Sequence, residues 1–135
     1  NFHWVHTIDR VKIAQRLNDS RPAGYPPLNV CIQMNISGET SKAGTGPEQA
    51  RELAQAIHSL PRLKLRGLMA LPAPCHEFAQ QRRPFARLRQ HLRELQSSFP
   101  GMDTLSMGTT NDMVAAIAEG ATMVRVGTAI FGPRA

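Results

Sequence analysis

The sequence predicts an α/β fold: the C-terminal part of a (β/α)8 TIM-type barrel, with parallel strands in the order βαβαβαβαβ. Three observations lead there. Short apolar runs alternate with segments of helical periodicity along the whole chain, which argues for a parallel sheet covered by helices. No glycine-rich turn follows the first strand, where an open doubly wound sheet would carry one; that strand runs straight into Ile8-Asp9-Arg10. The glycine signals lie instead after the last two strands, at Gly108 and Gly127. In (β/α)8 barrels a phosphate site commonly forms from the loops after the last two strands.

The elements follow in order. Trp4 to Ile8 is a short strand. Asp9 can cap a helix reaching about Asn18, with Val11, Ile13, Ala14 and Leu17 on one face. Leu28 to Asn35 is nearly continuous in apolar residues and reads as a buried strand. Thr45-Gly46-Pro47-Glu48 is a helix start, with a hydroxyl at the cap and Pro in the first turn. Ala50, Leu53, Ala54 and Ile57 then mark its apolar face. Leu63 to Leu71 is the third strand, stopped by Pro72-Ala73-Pro74. A helix from about Pro84 to Ser97 buries Phe85, Leu88, Leu92 and Leu95. Thr104 to Met107 is a strand ending at Gly108, Asn111 to Glu119 a helix closed by Gly120, and Met123 to Val126 the last strand.

The chain has 135 residues, of which 41% are hydrophobic, enough for a packed core. By length alone it is one domain's worth, yet a full barrel typically needs about 250 residues. Asn1-Phe2-His3-Trp4 carries neither Met nor a basic-then-apolar leader. The expectation is a C-terminal fragment or truncated relative, residues 1–135 forming one partial barrel domain, with no secretory signal and a cytoplasmic location. A partial barrel leaves strand edges open, which invites self-association.

The net charge is +6, and seven arginines fall between Arg62 and Arg93. Such a stretch can attract polyanions. Aromatic residues make up only 5% and none is interleaved with these arginines as a base-stacking platform requires. The expected reading is a solvated helix face, with no nucleic acid or membrane partner. Cys31 and Cys75 fit no metal spacing; Cys31 reads as a small buried hydrophobe and Cys75 as a loop residue. Of the five histidines only His6, on the first strand, falls near the barrel interior.

Two segments carry the site. In Ser106-Met107-Gly108-Thr109-Thr110-Asn111-Asp112 a strand ends, a glycine permits a tight turn and hydroxyls precede a helix, an arrangement suited to an anion. The alternative is that Thr110 simply caps that helix. In Val124-Arg125-Val126-Gly127-Thr128 side-chain alternation turns Arg125 inward if the valines face the helices. An inward Arg needs a carboxylate or a ligand. Together the segments read as a phosphate cradle beside a polar ring or an acid.

These residues resemble the pyridoxal-phosphate homeostasis proteins of the YggS/PROSC type. The resemblance is carried by Thr104-Leu105-Ser106-Met107-Gly108, Asp112, Ala116-Ile117, Gly120 and Val124 to Gly132. It is supported by His6-Thr7-Ile8-Asp9, by Gln33-Met34-Asn35 with Glu39, Lys42 and Gly44, and by Arg66 to Ala70. That family is similar to the N-terminal barrel domain of alanine racemase and binds pyridoxal 5′-phosphate (PLP). The resemblance implies that Thr110, Gly127 and Thr128 hold the phosphate, that Gly108 shapes the loop, that Arg125 faces the pyridine nitrogen and that Met69 packs near the cofactor. It also implies a carrier without robust catalysis, monomeric at full length, with PLP-dependent apoenzymes as recipients. Thr109-Thr110 stands where the family usually has Met-Ser. The family's Schiff-base lysine has no counterpart among Lys12, Lys42 and Lys64. A racemase would be the enzymatic alternative, but the one tyrosine, Tyr25, lies in a Pro-rich loop.

Overall fold

The computed structural model describes residues 4–36, 44–73 and 75–125. Four strands, β1 (Trp4–Ile8), β2 (Leu28–Gln33), β3 (Leu63–Ala70) and β4 (Thr104–Met107), alternate with α1 (Val11–Ser20), α2 (Pro47–His58), α3 (Phe78–Gln96) and α4 (Met113–Ala118). All neighbouring strands are parallel, in the order β1-β2-β3-β4. Consecutive parallel neighbours joined by helices are the repeating unit of a (β/α)8 barrel. The predicted last strand falls at the limit of the described residues. Met123 makes an isolated parallel bridge to Ser106, and the Arg125 amide donates to the Gly108 carbonyl at 2.9 Å.

One face of the sheet carries the core. Val30, Ile32, Leu65, Leu68, Ala70, Leu105 and Met107 pack under the apolar faces of α2 and α3, whose Ala50, Leu53, Ala54, Ile57, Phe85, Leu88, Leu92 and Leu95 are all buried. These are the helix positions that periodicity predicts. At β3 the register slips, so that Val30 pairs with Leu65 but Cys31 with Gly67. The slip turns Gly67 and Met69 to the other face of the sheet. Gly67 must be glycine, since a Cβ there would overlap the Thr104 carbonyl oxygen.

Element boundaries differ from expectation in every helix, and β2 and β3 end at Gln33 and Ala70, short of Asn35 and Leu71. α1 opens at Val11 with Arg10, not Asp9, as its N-cap, and runs to Ser20. α3 starts at Phe78, six residues before Pro84, which sits inside the helix. Proline favours the first turn of a helix, and that preference places the start too late. α2 is capped by Gly46, not by the Thr45 hydroxyl; Gln49 Oε1 accepts from the Gly46 amide at 3.2 Å and closes the turn instead. α4 is shorter than expected and opens at Asp112, with Gly120 following its C-cap at φ +96°.

The arginine-rich stretch is partly structural. Arg82 Nε and Arg89 Nη1 lie 2.6 and 2.9 Å from the carboxylate of Glu119, a buried residue at the end of α4. Arg66 donates two hydrogen bonds to Asp103, at 3.0 and 2.8 Å, and stacks its guanidinium over Trp4. Arg62 donates to the Arg21 carbonyl. Among the described residues no helix is long and apolar enough to cross a membrane.

Candidate functional site

The concave face of the sheet is built from the residues that the core does not use. Register pairs Gln33 with Met69 and Met69 with Ser106, so the three lie side by side across β2, β3 and β4. Met69 is fully buried, and its neighbours Leu68 and Ala70 belong to the helix-facing core, so its side chain points to the concave face. His6 lies between Val5 and Ile8, which both pack into the core, and it reaches the same concave face. Its Nδ1 is 2.7 Å from the Ser106 hydroxyl.

That contact measures the curvature. Strands are spaced about 4.8 Å apart, which would separate β1 from β4 by about 14 Å in a flat sheet. A histidine and a serine cannot span such a gap side by side. They meet because the sheet curls, and the curl makes its inner face the inside of a barrel wall.

At the C-terminal ends of β3 and β4 a cavity of about 440 Å³ is lined by Leu71, Cys75, His76, Gln81, Gly108 and Asp112, among others. The volume suits a small-molecule site. Gln81 ties the loops together, donating to the Cys75 carbonyl at 2.6 Å and approaching the Asn111 carbonyl at 3.5 Å. Gly108 adopts φ +101°, and a Cβ there would come within 2.5 Å of Ala116 Cβ. The glycine thus lets β4 turn directly onto α4. Asp112 organises the loop: its Oδ1 accepts from the Thr109 amide at 2.7 Å and from the Thr109 hydroxyl at 3.3 Å. The helix begins at Asp112, so Thr110 is not its cap; Thr110 is exposed at the top of the loop.

Arg125 lies beside Gly108 through their backbone hydrogen bond. Its guanidinium is partly desolvated, which draws its pKa below the usual value. Its positive charge is felt at His6. Burial first, and then Arg125, lower the His6 pKa from its usual 6.5. Arg125 thus lies near enough to His6 for its charge to bear on the ring. Cys31, buried between strands, is pushed up to about 12 by desolvation and stays a thiol. Of the predicted site residues, Gly108 and Arg125 are adjacent, Met69 lies on the inner face and Thr110 stands in the loop between Gly108 and α4. Gly127 and Thr128, like Glu39 and Lys42, lie outside the described residues. Among the described residues no cluster of His, Cys, Asp or Glu could hold a metal ion.

Sequence reasoning placed His6 near the interior but missed its partner, because Ser106 is 100 residues away. It placed Ser106 on the strand that leads into the anion loop. Strand alternation could have found the inward Ser106, but not the histidine opposite it.

A parallel sheet of consecutive strands joined by helices, curled so that β1 meets β4 across its inner face, with a cavity at the strands' C-terminal ends, is a segment of a (β/α)8-type barrel. The profile of the family described as "alanine racemase, N-terminal domain" matches residues 1–135, and the chain belongs to that family. It is 59% identical over 134 residues to the pyridoxal phosphate homeostasis protein of Pseudomonas aeruginosa, covering 99% of this chain and 57% of that protein. The chain thus spans a little over half the length of that relative. PipY from Synechococcus elongatus PCC7942, solved with PLP bound, superimposes with a TM-score of 0.85 at 32% identity, covering 97% of this chain and 61% of PipY. Alanine racemase from Corynebacterium glutamicum shares the fold, with a TM-score of 0.71 at 16% identity over 96% of this chain and 35% of its own.

Proposed function

We propose that the chain binds PLP at the C-terminal ends of its strands and belongs to a cytoplasmic protein of PLP homeostasis, which hands the cofactor to PLP-dependent apoenzymes. The observation that carries this reading is the match, over 97% of this chain, to a structure with PLP bound. On this reading Thr110, Gly127 and Thr128 would hold the phosphate, Gly108 set the path of the loop, Met69 support the ring from the inner face and Arg125 face the pyridine nitrogen.

The described residues fit such a ligand. Arg125 is a partly desolvated cation near His6, beside a loop that only glycine can turn at position 108. A guanidinium only donates hydrogen bonds. Facing a pyridine nitrogen, it leaves that nitrogen unprotonated and holds the ring in one orientation. Bound PLP supplies an aldehyde that takes up amines and a ring that draws electrons from them. An unprotonated ring draws them weakly, which suits storage and delivery better than turnover. The basic stretch is not needed for a polyanion, because Arg62, Arg66, Arg82 and Arg89 are engaged within the fold.

Equilibrium dialysis of the chain against PLP and against pyridoxal tests the reading. PLP is retained, inorganic phosphate competes for it, and pyridoxal, lacking the phosphate, binds far more weakly. Equal retention of PLP and pyridoxal, or retention of neither, overturns it.

A further inference from the structure

The contact between His6 and Ser106 joins the first and fourth strands across the concave face at 2.7 Å. Ser106 is 3% exposed, so its hydroxyl has little recourse to water, and His6 is only half-buried. Two residues after Ser106 comes Gly108, whose carbonyl accepts from the Arg125 amide. His6 is thus linked to Arg125 by a short path: through the Ser106 hydroxyl to β4, then along β4 to the backbone that carries Arg125. It is also linked to it through space, by charge.

We propose that His6 is a positioning residue of the ligand site, holding β4 through Ser106 and leaving Arg125 in place only while its imidazole is neutral, so that protonating it releases a pyridine-bearing phosphate ligand. The inference rests on the PLP reading above. A neutral imidazole offers Ser106 either an acceptor or a donor at Nδ1, whereas an imidazolium can only donate there. Protonation also sets the His6 charge against that of Arg125.

The other titratable or charged groups around this end of the sheet do not compensate. Cys31 on β2 stays a neutral thiol. Arg66 on β3 is held by Asp103, just ahead of β4, and lies over the Trp4 ring. Arg21, after α1, borders the hollow beside β1, where its Nε donates to the Pro26 carbonyl. Among these charges only Arg125 acts on His6. Among the described residues no carboxylate acts on His6 to welcome a proton.

Two measurements on the full chain test this. The first needs no ligand: the His6 ring is titrated by NMR in the wild type and in Arg125→Gln. The midpoint lies below 6.5 in the wild type and rises in the variant, as removal of a nearby like charge requires. An unmoved midpoint overturns the coupling, whatever the ligand is. The second follows PLP retention against pH in the wild type, His6→Asn and His6→Leu. Asparagine keeps a polar group where Nδ1 stood but does not titrate. His6→Asn therefore loses the acid-side release of PLP, while His6→Leu weakens binding about tenfold at all pH values, the effect of one lost polar contact. An acid limb that persists unchanged in His6→Asn overturns the proposal. Failure of every form to retain PLP, with the NMR coupling intact, counts against the PLP reading and not against the coupling.

Discussion

Glu119 at the end of α4 is buried, and both of its charge partners, Arg82 and Arg89, come from α3 at 2.6 and 2.9 Å. The pair of arginines fastens the short helix that follows the Gly108 loop to the long helix that precedes β4. Because α4 has only six residues, it cannot hold itself together, and the loop it follows depends on this attachment.

The partners of this triad are unequal. The carboxylate is 5% exposed, while the arginine side chains are 45% and 37% exposed. Removing both arginines strands a buried charge, whereas removing the glutamate returns two cations to water. Arg82→Ala with Arg89→Ala is expected to destabilise by about 1–3 kcal/mol, the range for leaving a buried polar group without its partner. Glu119→Gln should cost clearly less. Urea unfolding of the two variants checks the order, and a larger loss in Glu119→Gln contradicts it.

Gly108 is at φ +101°, and its missing Cβ leaves room for Ala116. Gly108→Ala meets backbone strain of roughly 1–3 kcal/mol and overpacking of roughly 1–3 kcal/mol. The melting temperature should fall by several degrees and PLP retention should fall with it. Gly101→Ala, with nothing within 4 Å of the added Cβ, serves as the control and should melt near the wild type.

The two cysteines should react very differently. Cys31 has no exposed surface and its thiol is pushed up to about 12 by burial, so it presents almost no thiolate near neutrality. Cys75 is half-exposed in the wall of the cavity. A thiol reagent should label one cysteine per native chain, at Cys75, and both after denaturation. Mass spectrometry that finds Cys31 labelled in the native chain contradicts the packing described.

Stability should depend on pH through His6. Its folded-state pKa is lowered from 6.5 by burial and by Arg125, so just below pH 6.5 the unfolded chain binds more protons than the folded one. The contribution of His6 is therefore full above 6.5, and it is lost as pH falls from 6.5 through the lower folded-state value. Denaturant midpoints of the wild type and His6→Asn should diverge across that window and run parallel above it.

Much of the fold was legible because parallel barrels repeat two local patterns. The apolar strands and the 3.6-residue periodicity of α2 and α3 gave their buried residues correctly, down to Phe85, Leu88, Leu92 and Leu95. Boundaries were legible only where a local preference decided them. Gly120 closes α4 as its left-handed conformation requires, but Pro84 misplaced the start of α3, because Gln81 and Arg82, in the turns before it, bond to the loops at Cys75 and Asn111 and to Glu119. Of the candidate site, the turn at Gly108 was legible, because a glycine at a strand end marks it. Its supports were not. Glu119 meets Arg82 over 37 residues and Ser106 meets His6 over 100, and no spacing rule reaches so far.

The central claim is that Arg125 faces a PLP ring at the C-terminal ends of these strands. Its most direct test is the PLP dissociation constant and absorption spectrum of the chain, measured for the wild type and Arg125→Gln at neutral pH. A charged, partly desolvated hydrogen bond to ligand is worth roughly 1.5–3 kcal/mol, so Arg125→Gln should bind at least about tenfold more weakly, with a shifted spectrum. Unchanged affinity and an unchanged spectrum would show that Arg125 does not touch the cofactor, and would contradict the account.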